Sequence, residues 1–178
     1  MKGPRTMKGA ASSKLPGIAL LALAGMIVLS NGAQAQTPNR VVGTWHMLSA
    51  QLDPGGRNTP AYGQRPNSLL VFTPDMHFIE VLTDADVPRF ASNVRGKGTD
   101  KENRAAMAGS IGFFGTYAVD ANGDLSGNHV EGSTFPNWVG NTRTRQDLQM
   151  PVKGDRMTER FQRPDGTRIE VIWQRVSR

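Results

Sequence analysis

Cysteine is absent from all 178 residues. That absence excludes a disulfide framework, a thiolate zinc site, an iron–sulfur cluster and a cysteine nucleophile. It also excludes a lipid-anchored bacterial lipoprotein, which needs a Cys at its mature N-terminus. Aromatic residues make up only 7% of the chain, which suits a small pocket. There is no nucleophile elbow, phosphate-binding glycine loop or Gly-x-Gly-x-x-Gly, so no cofactor is expected. His46, His77 and His129 lie on three separate expected strands without ligand-like spacing, and no metal site is expected.

Long hydrophobic runs are also missing, with one exception. Leu15 to Ser30 reads LPGIALLALAGMIVLS, too short and too punctuated by Gly and Pro for a comfortable membrane span. Lys2, Arg5, Lys8 and Lys14 precede it without an acidic residue, and Ala33-Gln34-Ala35 follows, the small-x-small pattern cut by signal peptidase. No twin-arginine pair is present. Residues 1–35 therefore read as a secretory signal peptide cleaved after Ala35, giving a periplasmic or secreted protein with no stable membrane anchor.

Removing that segment changes the charge balance. The whole chain carries +6, but residues 36–178 hold 17 Lys and Arg against 15 Asp and Glu, a net of +2. The remaining charges alternate in sign as on a solvated surface. No nucleic-acid partner is expected. At 143 residues this part forms one domain, long enough to bury a core without covalent staples.

Its pattern is all-β. Strands are expected at Val41–Leu52, Ser68–Thr73, His77–Thr83, Ile111–Val119, Asp124–Ser133, Arg143–Met150, Arg156–Arg163 and Thr167–Val176. Pro74-Asp75, Asn122-Gly123 and Pro164-Asp165-Gly166 supply tight turns. One helix interrupts them: Thr99-Asp100-Lys101-Glu102 is a capping box and Gly109 a stop. Eight antiparallel strands in about 140 residues suit an up-and-down barrel, because closure removes sheet edges. A sandwich is the alternative that periodicity leaves open.

Gly43-Thr44-Trp45 on the first strand resembles the lipocalin signature, and Trp173-Gln174-Arg175 closes the last strand. The resemblance implies that Trp45 plugs the closed end of a barrel and that Arg175 packs across its face, both structural roles. Gly112-Phe113-Phe114-Gly115-Thr116-Tyr117, then His129-Val130-Glu131-Gly132-Ser133-Thr134-Phe135-Pro136-Asn137-Trp138-Val139-Gly140, resembles the bacterial lipocalin-like domain family. Pro88-Arg89-Phe90-Ala91 and the helix extend the likeness, which spans roughly Val41 to Arg175. It implies an eight-stranded lipocalin-like barrel with one short helix. Family members often carry a second His or a basic residue directly before the matched His; here it is Asn128, which argues against chemistry needing two adjacent basic groups.

On one strand face, His129, Glu131 and Ser133 project together, and Asn128, Val130 and Gly132 project oppositely. The neighbouring strand groups Ile111, Phe113, Tyr117 and Val119, with Gly115 as a gap. Should the polar face point inward, His129, Glu131 and Tyr117 meet a ligand, with Phe135, Asn137 and Trp138 at the barrel mouth. Should it point outward, Val130 faces the core; a buried His–Glu pair that only fixes packing is the third arrangement. Arg89 is a candidate partner for an anionic group on a ligand, or a loop-fixing residue among Asp84, Asp86, Arg95 and Lys97.

Three functions fit this reading. The first is an exported carrier binding a small, largely apolar molecule inside the barrel. The second is an isomerase, cyclase or hydrolase of a hydrophobic substrate with His129 and Glu131 as acid and base. The third is a filled barrel acting through its surface. The fold alone does not choose among them.

Overall fold

Three turns set the architecture where the sequence places them. Thr73 and His77 close one hairpin by a 2.9 Å backbone bond across Pro74-Asp75, as Asp120 and Asp124 do across Asn122-Gly123, and Arg163 and Thr167 across Pro164-Asp165-Gly166. The computed structural model describes residues 38–178, so the expected signal peptide lies outside the described residues. The elements in chain order are β1 (Gly43–Leu52), β2 (Thr59–Pro60), β3 (Pro66–Phe72), β4 (His77–Asp84), α1 (Asp100–Ala108), β5 (Ser110–Val119), β6 (Leu125–Ser133), β7 (Thr142–Thr144), β8 (Leu148–Gln149), β9 (Val152–Lys153), β10 (Arg156–Gln162) and β11 (Arg168–Ser177).

All neighbours pair antiparallel, in the order β7-β6-β5-β4-β3-β1-β11-β10-β8, with β2 added to β1 and β9 to β10. The result is a nearly closed antiparallel barrel, the expected class with eleven strands in place of eight. The extra strands have local causes. The single strand expected at Arg143–Met150 is broken where Asp147 accepts from the Thr144 backbone N–H at 2.9 Å and returns its own N–H to the Thr144 carbonyl at 3.0 Å. The Pro/Gly/Asn-rich loop after β1 turns back far enough for Thr59 and Pro60 to pair with Leu52 and Gln51. The helix forms as its capping box dictates: the Thr99 hydroxyl accepts from the Glu102 N–H, and the Glu102 carboxylate accepts from the Thr99 N–H at 2.7 Å.

One end of the barrel is shut. Residues 39–42 run across it beside the β3–β4 and β5–β6 turns, with Arg40 N–H bonded to the Gly123 carbonyl. Trp45 and Trp173 have no exposed surface. The Trp45 indole donates to the Val41 carbonyl at 2.8 Å, and the Arg175 guanidinium sits 4.0 Å from the Trp45 ring centre while donating to the Val42 and Arg40 carbonyls. Phe72, Phe78, Phe113 and Tyr117 continue the aromatic core along β3, β4 and β5.

Gly43 makes the plug possible. Its φ is +131°, and a Cβ there would lie 2.4 Å from the Ser177 carbonyl oxygen. Gly43→Ala is therefore expected to destabilise the protein by about 1–3 kcal/mol through backbone strain and overpacking. A denaturant midpoint equal to wild type would contradict this.

Candidate functional site

The opposite end of the barrel is open. It is formed by the end of β1, the loop around Tyr62, the start of β5, the 3-10 turn Pro136–Trp138 and the β10–β11 turn. Trp138 stands edge-on to Phe113, with ring centres 5.2 Å apart, and Phe135 lies 6.1 Å from Trp138. Edge-to-face contacts of this kind fix ring orientation. Between Tyr62, Ile111, Phe135, Trp138 and Arg163 lies a cavity of about 520 Å³. Pro136 starts the turn and holds this aromatic wall in place.

Below the mouth, inward positions carry polar groups where the pattern elsewhere is apolar. β4 points Phe78, Glu80 and Leu82 inward, β10 points Met157 and Glu159, β6 points Asn128 and Val130, and β3 points Ser68 and Leu70. Glu80 is 4% exposed and Glu159 2%. Glu159 accepts from the Trp173 indole at 3.0 Å. Arg143 on β7 reaches in, donates to Asn128 Oδ1 at 3.0 Å and stands 5.5 Å from the Phe113 ring centre. Burial, and then the Glu159 charge, push the Glu80 carboxyl well above the usual carboxylate range, and Arg143 opposes this. Burial likewise raises Glu159, against Arg143 and the Trp173 hydrogen bond. Tyr62 lines the mouth cavity; burial raises its phenol, Glu80 and Glu159 raise it further, and Arg163 pulls the other way.

The residues expected from sequence are distributed over four places. Phe135 and Trp138 line the mouth cavity; Asn137, between them, is exposed and lies off it. Tyr117 is buried at the shut end, where its hydroxyl donates to the Thr73 carbonyl at 2.6 Å and accepts from Asn39 at 2.8 Å, so it pins the β3–β4 turn and is no neighbour of a mouth ligand. Arg89 is exposed on the segment before α1, beside Phe90 and Val94, at a separate cavity.

His129 and Glu131 are exposed on the outer face and Val130 is buried, so the outward arrangement holds and the ligand-binding roles expected of His129 and Glu131 are corrected. The cause is a pair of register shifts. Val119 pairs with Leu125 while Ala118 pairs with Gly127, so Ser126 is an extra residue in β6. A bulge inverts which parity faces the core. Leu125 is inside, but beyond Ser126 the even positions Asn128 and Val130 take its place. A second shift makes Glu131 the extra residue, because Gly115 pairs with Val130 and Phe114 with Gly132. Gly115 permits the close approach: a Cβ there would lie 2.0 Å from the His129 carbonyl oxygen. His129 Nδ1 instead meets Thr142 Oγ1 at 3.0 Å on the neighbouring strand. Acid–base chemistry by this pair inside the barrel is excluded by that orientation.

Sequence patterning does not single out Glu80, Glu159, Arg143 and Tyr62. The nearest to a signal is at Glu159: Met157, Glu159 and Phe161 share one face, opposite Arg156, Thr158 and Arg160. Glu80 has the same parity as Phe78 and Leu82, but Ile79 and Val81 on the other face are equally apolar.

A family model and several solved structures are similar to this chain. The family model described as a lipocalin-like domain matches residues 42–176. No curated relative matches the sequence. Among solved structures, a redesigned β-barrel is similar at 10% identity, covering 79% of this chain and 98% of that one, with a TM-score of 0.42. The amine-binding protein of Rhodnius prolixus, solved as its tryptamine complex, is similar at 13% identity, covering 79% of this chain and 69% of that one, with a TM-score of 0.39.

Proposed function

Since the chain belongs to the lipocalin-like domain family, we propose that it is an exported carrier that binds a small, largely apolar molecule at the open mouth of its barrel. The observation that carries this reading is the cavity of about 520 Å³ walled by Ile111, Phe135, Trp138 and Tyr62. Mostly apolar walls with a few polar groups are the general composition of ligand sites. Rigid aromatic side chains at the rim give contact area at low entropic cost. Export is supported by the basic, acid-free start, the apolar run from Leu15 to Ser30 and Ala33-Gln34-Ala35. Among the described residues, no helix is long and apolar enough to cross a membrane. Intact mass of the protein recovered from its own cell envelope is expected to correspond to a chain beginning at Gln36.

The ligand reading is tested with N-phenyl-1-naphthylamine, a neutral apolar fluorophore. It is expected to bind at one site and to quench Trp138, while Trp45 and Trp173, fully buried in the barrel, respond less. Trp138→Ala is expected to weaken binding about tenfold or more, the loss of one buried aromatic side chain. His129→Ala, on the outer face, serves as the control and is expected to bind as wild type does. Equal effects of the two substitutions, or no binding by wild type, would overturn the reading.

A further inference from the structure

We infer that Glu80 and Glu159, buried in the barrel interior below the residues that line the mouth cavity, recognise a cationic head group that reaches past Tyr62, so that the ligand is an amine with an apolar body. This rests on the proposed mouth site and adds the ligand's charge. Two carboxylates are buried within each other's field, and Arg143 is the cation whose field reaches both. Its Nε is already committed to Asn128. Ion pairs among the described residues lie elsewhere, as in Arg40–Asp124, Arg145–Asp120 and Arg160–Glu170, and none of them includes Glu80 or Glu159. One guanidinium thus faces two acids, which leaves room for one further positive charge. Buried charges demand a partner or a proton.

A second observation points the same way. The Ser68 hydroxyl is buried at 5% exposure, faces inward and has no hydrogen-bond partner. Ser68 pairs with Leu82, two residues from Glu80 on the same inward face of the adjacent strand. Diagonal neighbours of this kind are within reach of long side chains, so one ammonium group can donate to both the Glu80 carboxylate and the Ser68 hydroxyl. An ammonium carries three donors and no acceptor, matching carboxylates and a hydroxyl that can all accept. The Tyr62 ring in the cavity wall adds a π face of the kind that attracts cations.

The test uses three probes of similar shape: 2-phenylethylamine, positive at neutral pH, 2-phenylethanol, neutral, and 3-phenylpropanoate, negative. Calorimetry at pH 8 is expected to show the amine binding at least tenfold more tightly than the alcohol and the acid most weakly. In Glu80→Gln and Glu159→Gln the amine's advantage over the alcohol is expected to fall below threefold, with alcohol binding retained. Equal affinity for amine and alcohol in wild type would overturn the cation inference and leave the mouth site standing. Tightest binding of the acid would overturn it in favour of Arg143 and Arg163. Failure of all three probes to bind would remove the mouth site and the inference together. Melting curves of the Gln variants show whether each is folded; the pH dependence of amine binding by wild type decides the question without a substitution.

Discussion

Replacing Trp45 by Ala is expected to lower the unfolding free energy by about 3–5 kcal/mol, the range for truncating a fully buried large aromatic residue. For a domain of this size that shifts Tm by on the order of 10 °C or more. Trp45 loses its packing, its hydrogen bond to the Val41 carbonyl and the face on which Arg175 rests. Arg175 would then keep its two carbonyl acceptors but lose the ring that shields it. Arg175→Lys isolates the second half of the device. An ammonium cannot span two carbonyls in a fixed fork or stack as a planar group, so a loss of about 1–3 kcal/mol is expected from carbonyls left short of a partner. Because this end of the barrel is shut and the mouth lies at the other, both variants that remain folded should bind the neutral probe as wild type does. Urea unfolding followed by circular dichroism measures the first effect. A Trp45→Ala loss below 1 kcal/mol would show that the ring is not the plug.

That plug, the hairpins and the capping box were legible because each is a local device. Gly43 with Trp45 is two residues of sequence, Asn122-Gly123 is a turn by itself, and Thr99 and Glu102 close one helical turn on each other. The mouth was half legible: Pro136 and its aromatic neighbours on either side announced a rigid corner, and Phe135 and Trp138 line the cavity there. What the sequence left open was which face of β6 is inside. The strand from Leu125 to Ser133 alternates cleanly on paper, but an extra residue at Ser126 reverses its faces, and nothing in Leu-Ser-Gly-Asn marks that residue as the bulge. The polar density at His129 and Glu131 drew attention to the solvent side, while the buried acids stood singly on two distant strands. Their meeting depends on barrel closure, which brings β4 and β10 to face one interior and has no trace in either strand alone. The Tyr62 loop is still less readable, because the charged groups that act on its phenol come from other elements.

Stability is expected to fall as pH rises from the ordinary carboxylate range, near 4.3, towards 8. Glu80 has a raised folded pKa because burial, then Glu159, penalises its charged form, with Arg143 opposing. The native state therefore holds a proton that the unfolded chain has already released, and stability declines by up to about 1.4 kcal/mol per pH unit for each proton so held. The decline ends once pH passes the folded pKa. Glu80→Gln keeps the shape and removes the titration, so its stability should match wild type near pH 4 and exceed it at pH 8. Glu159→Gln should do the same, and its amide oxygen can still accept from Trp173. At the acid end the sign reverses: Asp120, Asp147 and Asp165 have lowered pKa values from hydrogen bonds made on the surface, and what they contribute is lost as pH falls below the usual carboxylate range. Urea midpoints at half-unit steps from pH 4 to 8 give both limbs, and parallel wild-type and Glu80→Gln curves would refute the assignment. The same proton read from the ligand side has the opposite sign. A cation held by Glu80 and Glu159, with Arg143 on β7 and Tyr62 in the cavity wall, must displace that proton. Affinity for 2-phenylethylamine should therefore rise with pH, by up to tenfold per unit, over the interval in which the empty protein loses stability, and the alcohol should show no such rise.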